Sequence, residues 1–439
     1  MYRRKVFFWS LSTALAGFLF GFDTVVISGA DLALQALWQT SAFFHGTVVM
    51  ASALWGTVLG AILGGLPTDR LGRKKTLLLI GVLYLVSALG SALANDPWVF
   101  AAFRFIGGLG VGSSTVAAPA YISEIAPAKD RGKLVALYQF NIVLGILVAF
   151  VSNFLLSDLG PQAWRWMLGV EAVPAFVYTL LIWMVPESPR WLLVVKGDEA
   201  RAVDLLQLVD PNIDVQQAVA QLRRDHEQTL HGETIFDPKY RLPLLLALFI
   251  AFFNQWSGIN AFLYYAPRIF EAAGLGQKSA LLSSVGIGVV NMMCTLLGMS
   301  LIDRVGRRQL MYVGSVGYII ALTAVAIAFS KGVGGFVVPL FLFLFIASHA
   351  IGQGTVIWVF ISEIFPTHLR GQGQAFGSAV HWILAAAIPA LVPLLFDQIG
   401  PAPVFGLFAF MMVGQLLWVW QMMPETKGVP LEMLERQLH

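Results

Sequence analysis

Asp69-Arg-Leu-Gly-Arg-Lys74 and Asp303-Arg-Val-Gly-Arg-Arg308 are one short phrase written twice, once in each half of a 439-residue chain. Two more phrases recur at nearly the same offset. Tyr121-Ile-Ser-Glu-Ile-Ala-Pro127, followed by Arg131-Gly132, returns as Phe360-Ile-Ser-Glu-Ile-Phe-Pro366, followed by Arg370-Gly371. Pro186-Glu-Ser-Pro189 returns as Pro424-Glu-Thr-Lys427. The second half therefore repeats the first in the same direction. Each phrase is polar and sits where a long apolar stretch ends.

Those stretches run Val6–Ala30, Phe44–Leu66, Thr76–Ala94, Trp98–Ala120, Leu134–Leu156, Arg165–Val185, Leu242–Ala266, Ser279–Ile302, Leu310–Ser330, Val337–Ile361, Gln374–Phe396 and Ala402–Met423. A helix needs about 20 apolar residues to cross a bilayer. Only helices bond their own backbone fully enough to do so at this composition. Hydrophobic residues make up 57% of the chain and charged ones 12%, against about 25% charged in soluble domains. The chain reads as an all-α membrane protein with twelve transmembrane helices in two six-helix bundles. Residues 1–185 form the first bundle, 186–241 a cytoplasmic helical linker, 242–423 the second bundle and 424–439 a cytoplasmic tail. The linker holds helix-like patches at Asp198–Leu208 and Asp214–Gln228, with Asp198 as a natural N-cap.

The N-terminal apolar run continues to Ala30, beyond the about 7–15 residues of a signal peptide's core, so it reads as a retained first helix. The net charge of +3 argues against nucleic acid as a partner. The single cysteine, Cys294, rules out internal disulfides and cysteine metal sites and reads as a small buried side chain. No metal-ligand spacing or nucleophile motif points to an enzyme, and no cofactor is implied.

Basic residues orient the spans. With both termini inside, only Arg165, Arg268, Lys278 and Lys331 lie outside and Arg104 within a span, so the other 23 of 28 Lys and Arg face the cytoplasm. The repeated phrases then stand at the cytoplasmic surface. Asp69, Arg70, Arg73, Glu124, Arg131, Glu187 and Arg190 in the first half, with Asp303, Arg304, Arg307, Glu363, Arg370 and Glu425 in the second, read as a network of weak ion pairs. It would lock the halves together on the inside and break when the inside opens. The blander reading is that the basic residues only set topology. The glycine of each Arg-x-Gly-Arg lets the chain reverse tightly.

Asp23, Arg104 and Glu171 lie inside spans. An intramembrane charge is a functional-site hypothesis by default. At 1.5 Å per residue all three sit roughly 9–10 Å below the outer boundary, so they could meet in one layer. By the repeat, their second-half counterparts are Asn260, Phe343 and Ala409: the second half lacks the charges. One arginine facing two carboxylates leaves a net negative cluster, in which one carboxylate is expected to carry a proton.

Together the motifs resemble the sugar porter family of the major facilitator superfamily, over essentially the whole chain. The match includes Gly21-Phe-Asp-Thr-Val-Val-Ile-Ser-Gly29, Arg104-Phe-Ile-Gly-Gly-Leu-Gly-Val-Gly112 and Gln255-Trp-Ser-Gly-Ile-Asn260 with Tyr264-Tyr265. The resemblance implies alternating-access symport of a monosaccharide with a proton by a functional monomer in the lipid bilayer, of bacterial inner-membrane type. Asp23 would be the proton carrier, Arg104 its switchable partner and Glu171 an auxiliary carboxylate. It also assigns sugar contact to Phe20, Gln139, Asn254, Gln255, Asn260, Tyr264, Asn291, Trp358, His381 and Trp382. Amides suit hydroxyls because they donate and accept, although a lone Asn in a span is more often interhelical glue. The sequence departs from the family at Gln353-Gly-Thr-Val-Ile-Trp358, which lacks the usual prolines, at Asn254 in place of Gln, and at His381 in place of an amide. His381 is a ligand contact, a second titrating group or packing. The alternatives are a facilitator without proton coupling, against which Asp23 and Arg104 speak, and a non-transporting sensor, for which the tail is short.

Overall fold

Among the described residues, twelve helices are long and apolar enough to cross a membrane: span 1, Arg4–Gly29; 2, Ala42–Leu63; 3, Arg73–Leu93; 4, Pro97–Ile125; 5, Gly132–Leu156; 6, Ala163–Trp183; 7, Pro238–Ala272; 8, Gln277–Val305; 9, Arg307–Ser330; 10, Val337–Ile364; 11, Arg370–Ile399; and 12, Pro401–Gln421. The computed structural model describes residues 2–127, 130–211, 213–229, 234–366 and 369–429, and no strand occurs among them. The side chain of Arg131 and the tail after Val429 lie outside the described residues.

Several spans that read as continuous in the sequence are broken, each for a local reason. Span 6 divides into Ala163–Gly169 and Ala172–Trp183. Pro174 has no N–H for the Val170 carbonyl, which is met instead by Val173 N at 3.1 Å, a tighter turn that leaves Glu171 at the break. Span 7 divides into Arg241–Trp256 and Ile259–Ala272 at Gly258, whose φ of +82° suits a residue without a Cβ. Span 10 divides into Val337–Ile351 and Gln353–Ile364. Span 2 opens on a π-turn, His45–Met50, and the loop before it folds into a short helix, Asp31–Trp38, that the sequence reading took as plain loop.

Among its described residues the linker holds the α-helices Pro189–Val194, Glu199–Val209 and Val215–Thr229. As expected, Asp198 caps the second of them, accepting from Arg201 N at 3.3 Å.

The two bundles pack by one plan. In the first, span 1 lies on 5, span 2 on 4, span 3 on 4 and 6; in the second, 7 lies on 11, 8 on 10, and 9 on 10 and 12. Between bundles, span 5 meets 8 and span 2 meets 11, which are the same contact exchanged by the repeat. Large apolar side chains such as Trp183, Leu93 and Phe410 point outward, as suits a surface bathed in lipid.

The repeated phrases build two matching clusters on the face that carries the linker. Arg73 forks onto Glu124, with Nε–Oε2 and Nη2–Oε1 both at 2.9 Å, and reaches Asp69 at 3.2 Å. Arg307 forks onto Glu363 at 3.1 and 2.7 Å and reaches Asp303 at 2.8 Å. Ser188 Oγ donates to Glu124 and Thr426 Oγ1 to Glu363. Glu187 accepts from the backbone N–H of Arg73 and Lys74, and Glu425 from those of Arg307 and Arg308. Each caps the exposed N-terminus of a span from far along the chain. Burial nonetheless pushes the Glu187 carboxyl above the ordinary glutamate range. Gly72 and Gly306 make the turns, with φ of +96° and +107°.

These charges were expected to tie one half to the other. In this conformation every ion pair they form among the described residues stays within its own half. Arg70 and Arg304 are exposed, and Arg190 and Arg370 half-buried.

Removing the fork should therefore loosen one half without touching the other. We expect Arg73→Gln and Arg307→Gln each to cost about 2 kcal/mol, below the figure for fully buried pairs because these sites are partly wet. Thermal unfolding of the purified protein in detergent reads this; equal stability of wild type and both variants contradicts it.

Candidate functional site

The intramembrane charges meet as expected. Arg104 Nη1 donates to Asp23 Oδ1 at 2.5 Å and Nη2 to the Asp23 carbonyl at 3.0 Å. Both side chains, and that of Glu171, are essentially sealed from solvent. Glu171, at the break in span 6, lies within electrostatic reach of both Asp23 and Arg104. Two positions around the pair are open: Arg104 Nε and Glu171 Oε1 are buried with no partner. The guanidinium thus has a second carboxylate nearby that it does not hold.

The amides of span 7 gather at its break. Gln255 is the hub. Its Nε2 donates to Asn254 Oδ1 at 2.8 Å and lies 3.2 Å from His381 Nδ1, and its Oε1 accepts from Asn260 Nδ2 at 2.8 Å. His381 is bracketed by aromatic rings, Trp358 at 5.2 Å and Trp382 at 4.9 Å. Trp382 in turn meets Phe20 of the other bundle at 5.5 Å. Breaks in discontinuous helices are where secondary transporters build their substrate sites, and amides, which both donate and accept, suit a neutral ligand rich in hydroxyls. Tyr264, one turn beyond Asn260, is buried and within electrostatic reach of Arg104 and Asp23.

Not every expected residue joins this cluster. Gln139 and Asn291 stand on spans 5 and 8, which pack on each other; Asn291 is buried and Gln139 half-buried. Asn254, which accepts from Gln255, also reaches beyond the cluster: its Nδ2 donates to Gln353 Oε1 at 3.2 Å. Gln353 Nε2 continues to Gln415 Oε1 at 2.8 Å, and Gln415 Nε2 to Ser315 Oγ at 2.8 Å. This buried relay ties Asn254 to spans 9, 10 and 12. Sequence reasoning passed over Gln353 and Gln415, though an amide inside an apolar span is the signal that singled out Asn254.

A second charged cluster lies at the opposite face from the linker. Asp31, from the short helix after span 1, accepts from Arg268 Nε and Nη2 at 2.7 and 2.8 Å and from His45 Nε2 at 2.7 Å. Arg268 also donates to Gln35 Oε1 at 2.6 Å. Arg268 belongs to the second bundle and the rest to the first. Sequence reasoning used Arg268 only to orient the spans and did not single out Asp31 or His45.

The family model for sugar (and other) transporters matches residues 9–438. Over 436 residues the chain is 34% identical to the arabinose-proton symporter of Bacillus subtilis, covering 97% of this chain and 94% of the relative. It is 34% identical over 447 residues to a glucose transport protein of Synechocystis, covering 96% and 95%. Among solved structures it superposes on the partially occluded inward open conformation of the xylose transporter XylE from E. coli with a TM-score of 0.87 and 31% identity, covering 97% of this chain and 100% of that one. With its twelve spans, its doubled charge clusters and its broken seventh span, the chain belongs to the sugar transporter family of the major facilitator fold.

Proposed function

We propose that this protein carries a monosaccharide and a proton together across a bacterial cytoplasmic membrane by alternating access. Residues 1–185 and 242–423 are the rocking bundles, and the linker 186–241, the tail 424–439 and both termini are cytoplasmic. The observation that carries the proposal is the sealed Asp23–Arg104 pair with Glu171 at its side, one residue away from the sugar amides through Tyr264. The proton symport named for the Bacillus arabinose relative supports it.

The chemistry runs as follows. A proton on Asp23 cancels its attraction for Arg104. The guanidinium then has Glu171 as its remaining anion, with a vacant oxygen on one side and a vacant Nε on the other. Exchange of partners shifts span 4 relative to spans 1 and 6. Tyr264 carries that shift to the second bundle, where Gln255, Asn260 and His381 hold the sugar hydroxyls and Trp358 and Trp382 cover its apolar face. The amides already bond one another, so a sugar exchanges with existing hydrogen bonds, which suits a site that must release its ligand. With the linker inside, the closed face is the outer one and this conformation faces inward, the state named for the matched XylE structure. On that reading the charges of the linker face are seen with the inner side open, and those of Asp31 and Arg268 with the outer side shut.

Three outcomes test this reading. A cysteine placed at Gln35 in a Cys294→Ser background should be labelled by an impermeant reagent from outside whole cells and one at Gln216 in the linker should not; the reverse pattern overturns the orientation. Gln255→Ala and Asn260→Ala should each weaken sugar binding by about 1–3 kcal/mol, because ligand hydroxyls and neighbouring amides lose partners. Isothermal titration with a panel of pentoses and hexoses measures this, and unchanged affinity in both variants for the sugar that binds removes the amide cluster from the site. In proteoliposomes, an inward proton gradient should drive accumulation by the wild type. Asp23→Asn should abolish accumulation while sugar binding persists. Wild-type uptake indifferent to the gradient makes the protein a facilitator, and accumulation by Asp23→Asn moves the proton site elsewhere.

A further inference from the structure

Among the described residues the two bundles touch through charge at two places on the outer side, and the two differ in kind. Lys278 and Asp158 pair at 2.6 Å but are 63% and 70% exposed, so water competes with the contact and it holds little. Asp31 and Arg268 pair through two hydrogen bonds with Asp31 1% and Arg268 16% exposed. Every polar neighbour of Asp31 serves this arrangement. His45 donates to the oxygen that also receives Arg268 Nη2, and Thr40 Oγ1 lies 3.4 Å from the other ring nitrogen of His45. Gln35 takes a further N–H of Arg268. Glu271 and Tyr265, on the same half-helix as Arg268, complete the charged and titratable groups within electrostatic reach.

We propose that Asp31 and Arg268 form the outer latch of the transport cycle, with His45 and Gln35 as the residues that position it. The inference rests on the orientation given above but not on proton coupling. Outward opening must carry the second half of span 7, and Arg268 with it, away from the short helix that bears Asp31. Both ions then gain water, so the pair costs and gains in near balance and the two states stay close in energy. Loss of one partner breaks that balance on one side only. The survivor is stranded in the closed state and hydrated in the open one. The π-turn that begins at His45 adds a steric component. A Cβ on Gly46 would lie 2.2 Å from the Ala390 carbonyl oxygen of span 11, so the closed outer side has no room for a side chain there.

The experiment is a pulsed electron–electron distance measurement between spin labels at Ala36 and Lys331, exposed outer positions on opposite bundles, in a Cys294→Ser background. It needs no sugar and no proton gradient, so its failure is distinct from failure of the coupling reading, and the labelling test above checks orientation separately. The wild type should be mainly outer-closed. Asp31→Asn and Arg268→Gln should raise the open-to-closed ratio about tenfold or more, because each strands a buried ion only in the closed state. Arg268→Lys, which keeps the charge and loses the fork, should give a smaller rise. Lys278→Gln should change the ratio by less than about twofold. Gly46→Val should open the outer side by steric exclusion and shows that the labels report opening. If Asp31→Asn and Arg268→Gln elute as folded protein with the wild-type distance distribution while Gly46→Val shifts it, the latch is overturned. A merely structural role gives that result with a lowered melting temperature. If neither neutral variant folds, Arg268→Lys decides: a raised open fraction supports the latch and an unchanged one overturns it.

Discussion

A guanidinium sealed inside a lipid-embedded bundle has no water to spread its charge, and much of the first bundle is organised by meeting that need at Arg104. Span 4 brings the arginine, span 1 brings Asp23 with a carboxylate and a carbonyl, and the break in span 6 brings Glu171. The second bundle has the same packing plan and none of these charges. Asn260 stands where Asp23 would be, and it bonds Gln255 instead of an ion. One architecture thus serves two chemistries, charge in one half and neutral hydrogen bonding in the other.

The linker-face clusters show how weak interactions become structural when they are interlocked. Arg73 alone on a surface would hold little. Here its fork, the Ser188 hydroxyl and the Glu187 cap share one small volume, and the second half repeats the assembly atom for atom at Arg307, Glu363, Thr426 and Glu425. Cohesion within each half and looseness between halves on this face are two sides of the same arrangement.

How much of this was legible in the sequence depends on the range of the interaction. Span number and the doubled plan follow from apolar length and repeated phrases, which are local signals. Asp23, Arg104 and Glu171 could be brought to one depth by counting residues, because a helix is a ruler. None of the breaks was legible: the stretch Arg165–Val185 reads as continuous despite Pro174, because hydropathy does not register a missing N–H. The short helix Asp31–Trp38 and its pairing with Arg268 were out of reach for another reason. That contact joins residues on separate bundles whose approach depends on the conformation, and no spacing along the chain encodes it. The acids of the linker face were singled out by their repeated phrases, but charge pattern alone does not say that each acid chooses an arginine of its own half.

Glu187 and Glu425 bear on the order in which the molecule is made. Each comes after the last span of its half and caps a helix that begins more than a hundred residues earlier. A chain emerging from the ribosome exposes the amino end of span 3 long before its carboxylate exists, and the same holds for span 9. The fork from Arg73 to Glu124 needs only spans 3 and 4, but the cap on span 3 has to wait for the segment that follows span 6, and the cap on span 9 for the segment that follows span 12. In each half the carboxylate that closes the cluster is thus the last of its parts to be made.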